Sequence, residues 1–164
     1  MSPLDPNTAA TLSAALAAGA AETVAEINAL FLAIAGIRTV TWLATAPDRS
    51  VTHRIGTSNT RDFPIGGFDP IDDSAWNRRI FGEKKPIIGD DVPGMTAFIP
   101  ETGHLVAMGY GATACVPIVI AGEVRGTVNF LGDSGIFSAD TLARITSLLP
   151  IAALIFTFPG ISER

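Results

Sequence analysis

The 164-residue chain is 48% hydrophobic and 16% charged, which suits a single folded domain and excludes a disordered chain. Its formal net charge of -5, with no basic stripe, argues against binding to nucleic acid or to an anionic membrane surface. The single cysteine, Cys115, excludes an internal disulfide and fits a reducing compartment, so we expect a cytoplasmic protein. Because the chain has so few charged residues, we expect part of its surface to be covered by a subunit interface, to enclose a ligand pocket, or both.

The first predicted element is one long helix that ends near Gly36. Asp5 and Pro6 supply an N-cap and a proline at the first helical position. Apolar residues then recur at every third or fourth position and form one stripe: Leu12, Leu16, Ala20, Val24, Ile27, Phe31 and Ile34. We therefore divide the single domain into a dimerisation helix, residues 1–36, and a core with a C-terminal helix, residues 37–164.

After Gly36 the hydrophobic period changes to two, which predicts a hairpin from residues 38–46 and 51–55. Residues 57–73 are rich in proline and glycine and are predicted to form a long loop. Asp72 or Asp73 is then expected to cap a short helix that carries Trp76, and a short strand is expected around Ile87.

A second hairpin has the clearest alternation of the whole chain. A three-residue connection, 121–123, places Val116 opposite Val128 and Cys115 opposite Asn129. The expected core face of its second strand comprises Val124, Gly126, Val128 and Phe130. The opposite face carries small polar groups that suit a ligand chamber, although the same residues also suit a face that meets only loops and water.

The last predicted element is a helix that Ser138 caps. Pro150 is expected to kink it because an interior proline removes one backbone hydrogen bond. The apolar side of this helix comprises Leu142, Ile145, Leu149, Ala152 and Phe156.

From Leu105 to Ile155 the chain resembles the C-terminal half of a GAF domain. The matching features are Gly109 and Gly111, the sequence Val-Pro-Ile at 116–118, the tight connection at 121–123, and Phe-Ser-Ala-Asp at 137–140. Solitary bacterial GAF proteins are similar at four further motifs: Thr41-Trp42-Leu43, Ser58-Asn59, Phe63-Pro64-Ile65-Gly66-Gly67 and Asp73-Ser74-Ala75-Trp76. The resemblance covers nearly the whole chain.

This resemblance implies an α+β fold of the GAF/PAS-like kind. A central antiparallel sheet is expected, with the N- and C-terminal helices on one face and a ligand pocket on the other. Family members often dimerise through the terminal helices, which would also account for the low charge content. One fold hosts many functions, so the resemblance predicts the fold and leaves the ligand open.

Eight aromatic or small polar residues are predicted to converge on the ligand: Trp42, Ser58, Asn59, Trp76, Phe98, Tyr110, Cys115 and Asn129. The two tryptophans either pack against the faces of a flat ligand or are ordinary core residues. Ser58 and Asn59 either hydrogen-bond a ligand or form an Asx turn. No catalytic residue, metal ligand or cofactor is assigned, and His53 and His104 are expected to be structural or exposed.

The favoured function is a homodimeric sensor of a small organic molecule that signals to a separate output protein. The alternatives are an enzyme on this fold (a lyase, an isomerase or a redox enzyme) and a purely structural dimerisation module. Free methionine sulfoxide reductases of this fold need a nucleophilic thiolate before the Val-Pro strand and a second cysteine. Val106, Ala107 and Met108 occupy that region here, which argues against that activity.

Overall fold

The structure is a computed structural model that describes residues 4–100 and 102–162. Its strands are β1 (Ile37–Thr45), β2 (Val51–Thr57), β3 (Gly66–Pro70), β4 (Ile87–Gly89), β5 (Ala112–Ile120) and β6 (Glu123–Gly132). They form one antiparallel sheet in the order β3-β2-β1-β6-β5-β4. The prediction of an α+β fold around a central antiparallel sheet is therefore confirmed.

The helices are α1 (Pro6–Ala18), α2 (Ala20–Leu32), α3 (Ala75–Asn77), α4 (Val92–Thr96), α5 (Gly103–Ala107) and α6 (Ala139–Ala152). A π-helical turn, Arg78–Gly82, continues α3, and a 3-10 turn, Ala153–Thr157, continues α6. Residues Ala139–Thr157 are long and apolar enough to cross a membrane by length and composition alone, with a mean hydropathy of 1.5. Core helices of folded domains meet the same criterion, and this one buries Ile145 and Ala152.

The prediction of one continuous N-terminal helix is wrong, because the chain breaks at Gly19. This glycine has a φ of 141°, a conformation that other residues rarely adopt, and it ends α1 and begins α2. α1 then folds back along α2, so that Thr8 of α1 shares a groove with Glu26 and Leu30 of α2. The two helices form a hairpin whose apolar stripe still faces the sheet through Val24 and its neighbours.

The main core lies between α2, α6 and the face of the sheet that we call the helix face. Trp42 of β1 is fully buried there, and its indole N–H donates to Asn28 Oδ1 at 2.8 Å. The Phe31 ring of α2 lies 6.1 Å from the Trp42 ring and 4.8 Å from the Phe130 ring. Phe156, beyond the end of α6, completes this aromatic group at 6.4 Å from Trp42.

The predicted register of the β5–β6 hairpin is confirmed. Val116 pairs with Val128 and Cys115 with Asn129. The connection is one residue shorter than predicted, because only residues 121–122 form the turn, and a β-bulge at Arg125 restores the register. The bulge turns Val124 away from the predicted core face, and it packs with Cys115 on the opposite side.

Other local expectations differ in detail. The loop predicted over residues 57–73 contains the edge strand β3. Ser74, rather than Asp72 or Asp73, caps α3, because its hydroxyl accepts from the Asn77 N–H at 3.2 Å. Ser138 caps α6 as predicted, and the helix continues through Pro150 before it tightens into the 3-10 turn.

Candidate ligand-binding site

The face of the sheet opposite the helix face, which we call the second face, carries a row of small polar side chains. Strand pairing places Thr41 beside Asn129, and Asn129 beside Cys115. The Asn129 Nδ2 group donates to Thr41 Oγ1 at 3.3 Å. Thr127 lies one pleat along β6, between Leu43 and Pro117. Alternation along the strands had predicted this polar face.

Two atoms of this row are buried without hydrogen-bond partners among the described residues. They are Thr127 Oγ1 and Asn129 Oδ1. Thr127 is fully buried, so its hydroxyl receives no compensation from bulk water. An unpaired buried polar group costs about 1–3 kcal/mol, and such atoms mark places where another molecule supplies the missing bond.

Aromatic and aliphatic side chains cover the β5 end of the row. Ile80 and Ile87 are buried against Cys115, and three aromatic residues pack around them: Trp76, Phe81 and Phe98. The Trp76 and Phe81 rings meet edge to face, with their centroids 6.1 Å apart. This cover comes from α3, the turns around it and the segment after α4, so a short and irregular stretch of chain covers Cys115 at this end of the row.

Polar contacts on both sides of α3 hold this covering segment in place. Asp72 accepts from Asn77 Nδ2 at 2.6 Å and from the Ser74 N–H at 3.0 Å, and these hydrogen bonds lower the pKa of the Asp72 carboxyl. The Arg79 guanidinium donates to the Pro86 carbonyl at 3.1 Å. These contacts orient the π-helical turn so that Ile80 faces the sheet.

Cys115 is the one thiol in the chain and lies at the centre of this cluster, 4% exposed. Burial raises the pKa of its thiol, and side-chain hydrogen bonds from Trp76 and Thr113 oppose the rise. A thiol with a raised pKa stays protonated at neutral pH, so Cys115 is a poor nucleophile in this environment.

This shift predicts a specific dependence of stability on pH. In the unfolded chain the thiol ionises near pH 8.5–9, roughly its free value, whereas the folded protein keeps its proton to a higher pH. The free energy of unfolding should therefore fall as pH rises above about 8.5. Cys115→Ser, which has no thiol to ionise, should show a smaller fall. Urea denaturation at about pH 7 and pH 10 measures the difference, and an identical pH dependence of the two proteins would contradict it.

A separate aromatic cluster covers the other end of the second face, near β1 and β6. Tyr110 packs with Phe63, Leu105 and Leu131, and its hydroxyl lies 2.6 Å from Thr39 Oγ1. The Arg38 guanidinium lies over the Tyr110 ring, 4.9 Å from its centroid. Tyr110 is therefore on the predicted side of the sheet but already has polar and aromatic partners.

Three predicted site residues do not join the row. Trp42 lies on the helix face, because β1 points its even-numbered side chains into the main core. Ser58 accepts the Val40 N–H at 2.9 Å and extends the β1–β2 pairing. Asn59 forms an Asx-type turn with Asp62, to which its Nδ2 donates at 2.9 Å. The turn interpretation is the correct one for Asn59.

No protein-family model matches the chain, and no curated protein sequence matches it. Several solved structures do match the chain. A GAF domain/HD domain protein from Geobacter sulfurreducens has a TM-score of 0.67 at 14% identity, over 84% of this chain and 92% of that chain. The GAF domain of an Acinetobacter phosphoenolpyruvate-protein phosphotransferase has a TM-score of 0.66 at 9% identity, over 93% and 94%. The chain has the GAF fold.

A third GAF structure, from a two-component sensor histidine kinase of Bacillus halodurans, has a TM-score of 0.63 at 13% identity, over 81% of this chain and 90% of that chain. Sequence identities this low establish the GAF fold but do not identify a ligand. Within this GAF fold the structure brings together four of the eight predicted residues on the second face: Trp76, Phe98, Cys115 and Asn129.

Sequence reasoning named neither Thr41 nor Thr127 as a site residue of this GAF fold, although it placed Thr127 on the polar face. The signal that identifies them is the alternation of side chains along a strand. It places Thr127 on the same face as Asn129 in β6, and Thr41 on that face in β1. His53 is buried, with its Nε2 3.2 Å from the Ile161 carbonyl. No group of three or more His, Cys, Asp or Glu side chains within residues 4–100 and 102–162 forms a metal site.

Two of the open cavities among the described residues lie outside the second-face row. One, of about 690 Å³, lies between α2, β2 and β3, and the other, of about 370 Å³, lies beside the β5–β6 turn. None of the eight predicted residues lines either cavity. These two cavities are open to solvent, whereas aromatic and aliphatic side chains cover the β5 end of the polar row.

Proposed function

We propose that this GAF-fold chain is a sensor whose small organic ligand binds the second face of the sheet. The observation that carries the proposal is the pair of unpaired buried atoms, Thr127 Oγ1 and Asn129 Oδ1. Small-molecule sites are mostly apolar with a few placed polar groups, and the aromatic cover around Cys115 has that composition. Such a ligand supplies the hydrogen bonds that these two atoms lack.

The chemistry of the row restricts the ligand. Thr41, Thr127 and Asn129 carry no charge, so they recognise hydrogen-bonding groups rather than an ion. Asn129 Oδ1 accepts only, which calls for an N–H or O–H group on the ligand. A flat ring that displaces Trp76 from Cys115 and lies between the two satisfies both the donor requirement and the apolar cover.

A binding function accounts for Cys115 better than catalysis does. An enzyme that uses this thiol needs a thiolate at neutral pH, whereas burial raises the pKa of Cys115. Among the structures with the same fold are domains of a sensor histidine kinase and a methyl-accepting chemotaxis protein. These neighbours support a sensory role. We further propose that the signal passes to a separate output protein in the cytoplasm.

Thr127→Val tests the site through two effects of opposite sign. Without ligand, the variant should be about 1 kcal/mol more stable than the wild type, because it no longer buries an unpaired hydroxyl. It should also lose the increase in melting temperature that a ligand produces in the wild type. Differential scanning fluorimetry against small neutral heteroaromatic compounds, such as indole and nicotinamide, measures both effects.

Thr113→Val is the matched control on the same face. Its hydroxyl donates to the Phe130 carbonyl at 3.1 Å, so its removal should destabilise the protein by about 1 kcal/mol. If Thr127→Val is destabilised to the same extent as Thr113→Val, the Thr127 hydroxyl has a partner and the proposed site loses its main support.

We also propose that the sensor is a homodimer that pairs through the N-terminal helical hairpin and α6. α1 has no charged residue among its 13 positions, yet only Leu12 and Ala15 are buried. Interface centres are depleted of charge in this way. Sedimentation equilibrium at micromolar concentration should give the mass of two chains. A mass of one chain would contradict the dimer without affecting the ligand site.

A further inference from the structure

The open cavity of about 370 Å³ lies at the end of the sheet where the β1–β2 turn, the β5–β6 hairpin and the C-terminal segment meet. Its walls come from residues 45–47, Arg49, and residues 123–125 and 156–162, which are far apart in the chain. The volume is within the range of small-molecule sites. Neither Asn129 nor Thr127 lines it, so this cavity is separate from the ligand site on the second face.

The charge of this cavity is opposite to that of the whole chain. Arg49 and Arg125 both line it, and Glu123 is the acidic residue among its described lining residues. Arg49 Nη1 lies 3.8 Å from Glu123 Oε1, and about half of each side chain is exposed, so this pair is loose. Arg125 forms no ion pair within the described part of the chain. The cavity therefore has a local excess of positive charge in a chain whose net charge is -5.

A buried hydroxyl without a partner in the described part of the chain lies in the wall of the same cavity. Thr45 is 6% exposed and lines the cavity, and its Oγ1 has no hydrogen-bond partner among residues 4–100 and 102–162. The β-bulge at Arg125 lies beside Thr45, at the point where β1 stops pairing with β6. The local irregularity thus brings an arginine and an unpaired hydroxyl to one place.

We propose that this cavity binds the phosphate group of a small phosphorylated molecule. Each guanidinium presents a planar fork of donors that matches two oxygens of an oxyanion. Two such forks offer more donors than the two oxygens of a carboxylate use, whereas a phosphate group presents at least three acceptor oxygens. Glu123 competes with the ligand for Arg49 and weakens the site.

The test uses inorganic phosphate as the probe, added to the ¹⁵N-labelled chain at constant ionic strength. Saturable changes in amide chemical shift should centre on residues 45–49 and 123–125. Arg125→Gln should weaken phosphate binding about tenfold, the loss expected for a charge-assisted hydrogen bond. Glu123→Gln should strengthen it, because the competing carboxylate is gone.

Arg144→Gln is the matched control, since Arg144 is an exposed arginine on α6 whose Nε donates to Asp140 at 2.9 Å. Its phosphate affinity should equal that of the wild type. Equal affinity in Arg125→Gln and Arg144→Gln, or shifts that chloride reproduces, would overturn the proposal. Acetate that binds as tightly as phosphate would overturn the assignment to a phosphate group.

Discussion

Trp42→Ala is expected to lower the free energy of unfolding by about 4–5 kcal/mol, near the upper end for replacement of a buried aromatic residue. Trp42 is fully buried against Phe31 and Phe156, so its removal leaves a large cavity in the main core. It also removes the donor for Asn28 Oδ1, which then stays buried without a partner. Folded domains have only about 5–15 kcal/mol of total stability, so this loss is a large fraction.

The matched control is Trp76→Ala, which removes the same side chain from the other face of the sheet. Trp76 is only partly buried, so the expected loss is about 2 kcal/mol or less. Urea denaturation followed by circular dichroism measures both variants. Because the chain has two tryptophans, each variant also leaves a single fluorescent reporter. Equal losses for the two variants would contradict the assignment of Trp42 to the main core.

Gly126→Ala is expected to destabilise the protein by about 3 kcal/mol or to prevent folding. A Cβ at this position would overlap the carbonyl oxygen of Leu43 and the ring of Phe156. The carbonyl belongs to β1, the strand that pairs with β6, so it is unable to move without breaking the centre of the sheet. The effect is one of space, since the backbone at Gly126 does not have the positive φ that other residues avoid.

Gly82→Ala is the control for the general effect of a glycine-to-alanine substitution on stability. A Cβ there meets no heavy atom within 4 Å, and its φ also lies outside the positive range. Its stability should stay within about 0.5 kcal/mol of the wild type. Thermal denaturation of the two variants under the same conditions makes the comparison. A Gly126→Ala protein with wild-type stability would show that β1 and β6 lie further apart than described.

The β5–β6 hairpin shows how far sequence reasoning reaches for this protein. The alternation of apolar and polar residues predicted that Cys115 faces Asn129, because a shift of one residue would expose every apolar side chain. The same pattern did not reveal that the turn has two residues and that Arg125 forms a bulge. Several turn lengths preserve the register when a bulge compensates for the difference. The face of the sheet on which Val124 lies depends on the turn length and the bulge.

The candidate site was predictable in part for the same reason. Cys115 and Asn129 lie on a strand face that periodicity defines. Trp76 lies on α3, which begins after the Ser74 cap and continues as a π-helical turn to Gly82. Trp42 was placed wrongly because alternation tells which residues share a face but not which face the helices cover. The turn at Asn59 is a local motif, and the sequence allowed it as one of two interpretations.

By itself, the sequence determined the caps at Asp5 and Ser138 and the pairing of β5 with β6, because these depend on contacts between near neighbours in the chain. Only the tertiary structure decided that the chain reverses at Gly19, since a continuous helix and a hairpin keep the same apolar stripe. Tertiary structure alone also places Thr45 and Arg125 in one cavity. Those residues are 80 positions apart, and it is the packing of the whole sheet that brings them together.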